Sequence, residues 1–550
     1  MSWTSRLASF AFDASLSNAR QMTIDQLHAE LIYAECLLQK AIMGFVSSGD
    51  WMSFLREALN IRSVVAIYRT LNALLEDYDE KKQKGKLPEN AIDIDSDFRS
   101  GVYLGMGMSL LVFSMIPSRI VIFAGLLGYK GDRFEALRLL RKAGGWGDKD
   151  GKPLHSQTEP RISKADGGAR RALCDLVLVI FHLFISGFTR EGVDIQEADN
   201  IVHWNLRQYP DSIFFLFGKG RLHVMRSQPD KAIDEYKKAK EKIVKQTGYE
   251  QLGSVMDWEQ ALCHLALGNW KESAACWNEL NENSKWSKAT YTYAQAACLL
   301  QSGGDAKQVE ALMKAVPNLT QRIAGKSIPL EKFVARKAQL YSKGKTLVVP
   351  ALELAYMLQA TNRTTRGALQ SHAKTLRDRL DTGLKDPDDL QLVNLLLGAT
   401  LRHIDFPDSE DISEKRPLKI TTESTPKLEN EMESIRLLIK AKDSGPTLKE
   451  EYWIAYFAHY ELGRLYEELG RYSEARQCFS KVASDTALEG PNNPRRGKYS
   501  LQNAIVLRAG ASLATLPTPR AVDNMLSPTS PTLARTLSRA SIPGTYGLEH

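Results

Sequence analysis

Cysteine is scarce in this 550-residue chain. Its six cysteines, Cys36, Cys174, Cys263, Cys276, Cys298 and Cys478, include no C-x-x-C pair. That excludes a disulfide framework and a dithiol redox motif, and fits reduced, mostly buried thiols in a cytosolic or nuclear protein. No continuous apolar run occupies Met1 to Asp25, so no secretory signal is expected. Arg6, Arg20, Leu7, Phe10 and Phe12 give that stretch a faint transit-peptide character, but a frayed start to a helical domain is the simpler expectation. The sequons at Asn318 and Asn362 are then chance matches. An excess of one charge sign is missing as well. The 72 basic residues oppose 65 acidic ones, a net +7, and spread over this length that gives no reason to expect a nucleic-acid partner. Hydrophobic residues at 43% and charged residues at 25% exclude a mostly disordered chain, a collagen-like fibre and a polytopic membrane protein.

Catalytic motifs are also lacking. Gly325-Lys326-Ser327 resembles the end of a phosphate-binding loop, but the motif needs a glycine where Thr320 stands, and without it the backbone cannot cradle phosphates. Gly105-x-Gly107-x-x-Leu110 lacks the third glycine of a dinucleotide fingerprint and follows no strand, so small residues for close helix packing are the better reading. There is no H-E-x-x-H, and Cys263, His264 and Cys276 do not have zinc-finger spacing. Lone histidines such as His182 and His223 read as ordinary core or surface residues. No catalytic residue, metal ligand or cofactor is therefore expected.

What the chain does have is helical periodicity nearly throughout, with apolar residues recurring at three- and four-residue steps. Four stretches interrupt it: 80–96, the glycine-rich 144–168, the proline-containing 405–430, and a Ser/Thr/Pro-rich end. Leu462, Gly463, Tyr466, Gly470, Ala475, Phe479 and Val482 have the spacing of a tetratricopeptide repeat (TPR), in which small residues let two antiparallel helices approach and aromatics fill the space between them. The same spacing fits Ile120 to Ala143, Ala198 to Pro210, Gly220 to Ala239, Ala261 to Leu280 and, more weakly, Ala296 to Ala315. Ala198 and Ala232 stand one repeat of about 34 residues apart.

The expected fold is thus all-α, a TPR-like α-solenoid of antiparallel helix pairs with a disordered C-terminal tail. Its expected organisation is an N-terminal segment 1–25, a solenoid 26–404 with loop insertions at 80–96 and 144–168, a polar linker 405–430, C-terminal repeats 431–511 and a tail 512–550. Val102 to Leu127 carries one charge, Arg119, and is long enough to span a bilayer. Pro117-Ser118-Arg119 divides it into two helices of ordinary repeat length, and buried repeat helices are favoured over a membrane span.

Several motifs in order carry a wider resemblance: Gly101 to Gly107, Ser114 to Pro117, Gly128 to Arg133, Pro210-Asp211-Ser212, Trp258 through Trp277, and His459 to Tyr466. Over roughly Leu31 to Ala511 the chain resembles the family of animal tetratricopeptide repeat protein 39 and its fungal relatives, the inclusion body clearance or mitochondrial outer membrane proteins. The resemblance implies a non-catalytic helical-repeat adaptor, linked in fungi to clearance of misfolded-protein inclusion bodies with lipid-droplet involvement. Its implied partners are other proteins, among them lipid-droplet proteins and misfolded clients. Its implied place is the cytoplasm and nucleus, with any membrane association peripheral, at the mitochondrial outer membrane. A membrane-anchored protein and a sterol or lipid carrier are the alternatives.

Repeat register puts Phe214, Phe217, Arg221 and Met225 on the concave face of one unit, Trp258, Leu262 and Leu265 on that of the next, and then Tyr293. Such an aromatic wall suits a hydrophobic peptide, an amphipathic helix or a sterol-like ligand. The competing reading is that later helices, or the returning C-terminal half, simply cover it. In the tail, Thr518, Ser527 and Ser530 precede prolines and Ser538 follows a basic residue three positions back, which makes all four candidate phosphorylation sites.

Overall fold

The computed structural model describes residues 12–47, 51–89, 91–114, 131–154, 157–187, 192–244, 248–323, 325–408, 425–491 and 497–517. The helices in chain order are α1 (Ile24–Ser47), α2 (Trp51–Gln83), α3 (Ser96–Ser114), α4 (Arg133–Gly144), α5 (Arg171–Leu183), α6 (Ile195–Gln208), α7 (Ile213–Met225), α8 (Pro229–Ile243), α9 (Glu250–Leu267) and α10 (Trp270–Asn283). They continue with α11 (Lys288–Gln301), α12 (Ala306–Ala315), α13 (Pro329–Ser342), α14 (Pro350–Met357) and α15 (Arg366–Asp381). These belong to one compact unit, and α16 (Pro387–Asp405), α17 (Thr425–Lys442), α18 (Trp453–Glu468), α19 (Tyr472–Ala483) and α20 (Gln502–Thr515) belong to a second. Among the described residues the only strands are β1 (Arg322–Ile323) and β2 (Lys326–Ser327), a two-residue antiparallel hairpin.

Helix boundaries follow from local chemistry. Asp132, Asp194 and Asp305 accept backbone N–H bonds from the first turns of α4, α6 and α12, which satisfies donors that have no intrahelical partner. Proline opens α8, α13, α14 and α16, where its missing N–H costs nothing. From α1 to α13, and throughout the second unit, consecutive helices pack on one another. In addition, α1 meets α3, α3 meets α5 and α5 meets α7 in the first unit, and α16 meets α18 and α18 meets α20 in the second. That pattern, neighbour plus next-but-one, is the packing of an α-solenoid.

The repeat residues lie where their spacing predicts. Ala198, Val202, Ala232, Tyr236, Ala239, Ala261, Trp277 and Ala296 are all inaccessible to solvent. A methyl group on Gly220 would come 2.4 Å from the Tyr236 ring, and one on Gly463 2.7 Å from Phe479. Both glycines are therefore fixed by close helix approach. Gly105 and Gly107 press on Tyr68 and Leu140 in the same way. The last unit before the hairpin is looser, with Leu312 and Ala315 only half-buried. The segment Ile120 to Leu127, expected to open a repeat, lies outside the described residues, as does Pro117. Among the described residues no helix is long and apolar enough to cross a membrane.

One expectation is corrected. The glycine-rich 144–168 stretch reads as a flexible surface loop, yet its start is locked into the core. Trp146 is buried, meets Trp204 edge-on at 6.3 Å, and donates from Nε1 to Asp175 Oδ1 at 2.8 Å. Asn205 Nδ2 donates to the other carboxylate oxygen at 2.8 Å, and the Arg171 guanidinium lies 3.7 Å over the Trp204 ring. A single indole with a buried acceptor waiting for it outweighs the flexibility of the glycines around it.

Candidate functional site

The eight wall residues of the first unit divide by fate. On α7, Phe214 is exposed and meets Tyr249 edge-on at 5.8 Å. Phe217 is half-buried, stacked on Phe184 at 5.4 Å and tilted against Tyr236 at 5.7 Å. Arg221 donates from Nη1 to Glu259 Oε2 at 2.8 Å and from Nε to the Leu183 carbonyl at 3.2 Å, with its guanidinium 5.0 Å over Phe184. Burial works against its charge, but the Glu259 carboxylate outweighs burial and raises its pKa. Met225 is buried at the end of the same helix.

On α9, Trp258 is half-buried and edge-on to Trp277 at 5.0 Å, Leu262 is half-buried, and Leu265 is fully buried. Tyr293 on α11 is also fully buried. The cover is α14, which packs on both α9 and α11 and is itself buried at every residue. Its Glu353 is tied to Lys337 of α13 at 2.8 Å. Leu265 and Tyr293 are therefore core, whereas Trp258 and Leu262 stay half-buried. Repeat spacing cannot show that a short later helix returns to pack on α9 and α11. What remains exposed on this side is the Phe214–Tyr249 pair.

The second unit carries an open groove that the sequence did not single out. It has a volume of about 660 Å³ and lies among α17, α18 and α19. Ile439, Leu462, Tyr466 and Cys478 give it an apolar floor, Lys442 and Lys481 stand on its walls, and Glu474 is its acid. His459 contributes a neutral ring, because burial pushes its pKa down to about 4. Burial likewise pushes the Cys478 thiol up to about 11. The groove thus offers apolar contact and two lysines, of which Lys442 is ion-paired with Asp443 at 2.5 Å, with no activated nucleophile. The signal that locates it is the repeat motif itself, since Leu462, Tyr466 and Cys478 alternate with the core residues Gly463, Ala475 and Phe479 along the same two helices.

Other candidates separate cleanly. Gly325-Lys326-Ser327 forms part of the β1–β2 hairpin and not a strand-to-helix phosphate loop. No group of three His, Cys, Asp or Glu side chains is placed to hold a metal among the described residues. Thr518, Ser527, Ser530 and Ser538 lie outside the described residues.

Comparison with known proteins adds three findings. A family profile described as Iml2/Tetratricopeptide repeat protein 39 matches residues 5–148 and 161–404. A profile described as Tetratricopeptide repeat matches 456–484, which spans most of α18 and all of α19. The chain is 28% identical over 405 residues to tetratricopeptide repeat protein ttc-39B of Caenorhabditis elegans, covering 72% of this chain and 65% of that protein. The match thus spans a little less than two thirds of that relative's own length.

Proposed function

The chain belongs to the Iml2/tetratricopeptide repeat protein 39 family, and from that premise we propose that it is a non-catalytic adaptor that assists clearance of misfolded-protein inclusion bodies through partners linked to lipid droplets. A helical-repeat protein of this family is a protein-interaction scaffold. The finer role rests on the resemblance to the fungal inclusion body clearance proteins. The observation that carries it in this molecule is the groove among α17, α18 and α19, where an apolar floor between Lys442 and Lys481 suits an extended or helical peptide with acidic flanks. We place the protein in the cytoplasm and nucleus, with any attachment to the mitochondrial outer membrane peripheral. The carrier alternative is the weaker one, because α14 fills the space against α9 and α11 that a sterol would need.

The test is inclusion clearance after folding stress, in cells lacking the protein and in cells carrying Lys442→Glu with Lys481→Glu. Slower disappearance of a misfolded reporter is expected in both, together with loss of crosslinked partners in the double variant. Normal clearance without the protein would overturn the reading. Resistance of the wild-type protein to alkaline carbonate extraction would favour the membrane-anchored alternative.

A further inference from the structure

The chain's positive charge is not spread evenly. Residues 322–383 hold 12 Lys and Arg against 4 Asp and Glu, an excess larger than the whole chain's +7. At the start of this stretch the β1–β2 hairpin is fastened to the α10–α11 turn. Gln321 Nε2 donates to the Lys285 carbonyl at 3.0 Å, Gln321 Oε1 accepts from the Ser287 N–H at 3.0 Å, and the Ser287 hydroxyl donates to Glu331 Oε1 at 3.1 Å. These bonds hold two basic segments side by side: Lys285 and Lys288 on the turn, and Arg322 and Lys326 on the hairpin. None of the four forms an ion pair among the described residues. Two acids close to these segments in sequence are already engaged. Glu331 is buried in the fastening and Glu282 accepts from Asn278 at 2.8 Å.

Between Lys285 and Lys288 in sequence stands Trp286, 62% exposed, whereas Trp146, Trp204, Trp258, Trp270, Trp277 and Trp453 are buried or half-buried. Its neighbours in sequence show the contrast. Trp277 is buried and stacked on Tyr291 at 6.1 Å, so the helix ends have ample aromatic packing without Trp286. A large, exposed amphipathic ring on a turn that carries unpaired lysines, with the basic hairpin fastened beside it, matches the interface of a lipid bilayer. There the indole lies at headgroup depth and the cations meet lipid phosphates. Single-stranded nucleic acid is the other polyanion that takes aromatics, but it needs successive stacking rings along a groove, and this turn has one ring.

We propose that Trp286 with Lys285, Lys288, Arg322 and Lys326 is a docking surface for anionic membrane, through which the protein attaches peripherally to a phospholipid surface. This surface is independent of the peptide groove, and failure of either leaves the other standing.

The full chain is mixed with phosphatidylcholine vesicles, with and without phosphatidylserine, and cosedimentation is measured at low and high salt. Binding is expected only with phosphatidylserine and should weaken with salt. Trp286→Ala should weaken it several-fold. Neutralising Lys285, Arg322 and Lys326 to Gln should weaken it by about fivefold per residue, with unchanged melting curves. Lys374→Gln with Arg379→Gln serves as the control. These residues sit on α15, whose His372 packs at Gly268 at the opposite end of α10, about 20 Å away along a helix of that length, and changing them should leave binding nearly intact. If Trp286→Ala does not fold, the glutamine set decides alone. Absence of binding to the anionic vesicles overturns the proposal. So does an equal loss in the control, which means diffuse charge, and so does tighter binding to poly(uridine) that Trp286→Ala abolishes, which means nucleic acid.

Discussion

At the scale of single residues, buried titratable groups set how the fold meets acid. His372 is buried with no hydrogen-bond partner for either ring nitrogen. It stacks on Trp270 at 5.8 Å, and burial alone pushes its pKa from the ordinary 6.5 down to about 4. The unfolded chain therefore binds more protons than the folded one between those two values. Stability is full above about pH 6.5 and falls as pH drops through the window, by about 2 kcal/mol from this group at pH 5. Glu197 acts lower. Burial raises its pKa, but Arg141 at 2.5 Å and His182 at 3.2 Å outweigh burial and hold it at about 2. Its contribution is complete above the ordinary 4.5 and is lost toward pH 2. Urea midpoints for the wild type and His372→Leu at pH 7 and pH 5 test the first case. The wild type should lose distinctly more stability over that interval. Equal losses would mean that the ring is hydrated or already paired. None of this is legible in the sequence, because a histidine's pKa depends on what encloses it, and repeat spacing names a face without naming its cover. Met225, Leu265 and Tyr293 show the same limit.

At the scale of elements, repeat spacing reads well because each pair of helices obeys local rules: small residues at the crossing, aromatics beside them, glycine or proline at the ends. The element that escapes is α14. Eight apolar-rich residues opened by proline have too few turns to display a face, and their burial against α9 and α11 is a long-range contact. The 144–168 stretch escapes for the opposite reason, since its composition signals a loop while one residue, Trp146, is core. The family match omits 149–160, and the residues at either side are already joined, with the Arg161 N–H donating to the Gly145 carbonyl at 3.1 Å. Replacing 149–160 by a short Gly/Ser linker should therefore cost little. It removes the Asn200 bond to the Gln157 carbonyl and the Gln157 side-chain bonds to Gly145 and Gly147, together with the exposed Glu159–Arg207 ion pair, the Arg138 bond to the Asp150 carbonyl and the turn bonds of Asp148 to Asp150, Gly151 and Lys152. Trp146→Ala should cost about 3–5 kcal/mol, with Asp175 left short of a donor. Chemical denaturation of the two variants distinguishes the cases, and a linker variant as damaged as Trp146→Ala would show that the whole stretch is structural.

At the scale of the whole molecule, solenoid stability is close to a sum of repeat terms and nearest-neighbour interfaces, so a local defect stays local. The division of the chain into two compact units gives that principle a measurable form. Ala475 is fully buried on α19, one turn before Phe479, whose ring packs on Gly463 of α18. A tryptophan there overpacks the core and should cost about 1–3 kcal/mol or more. Trp146 lies in the other unit, within its own cluster of buried residues. Scanning calorimetry of the wild type, Ala475→Trp and Trp146→Ala should then resolve separable transitions, each variant lowering a different one and leaving the other near its wild-type temperature. Calorimetric enthalpy should exceed the van't Hoff value, as it does when cooperativity is confined to parts of a chain. One sharp transition lowered by both variants would mean that the chain unfolds as a single body. The groove among α17 to α19 would then share the stability of α1 to α15 and could not open or fill independently of them.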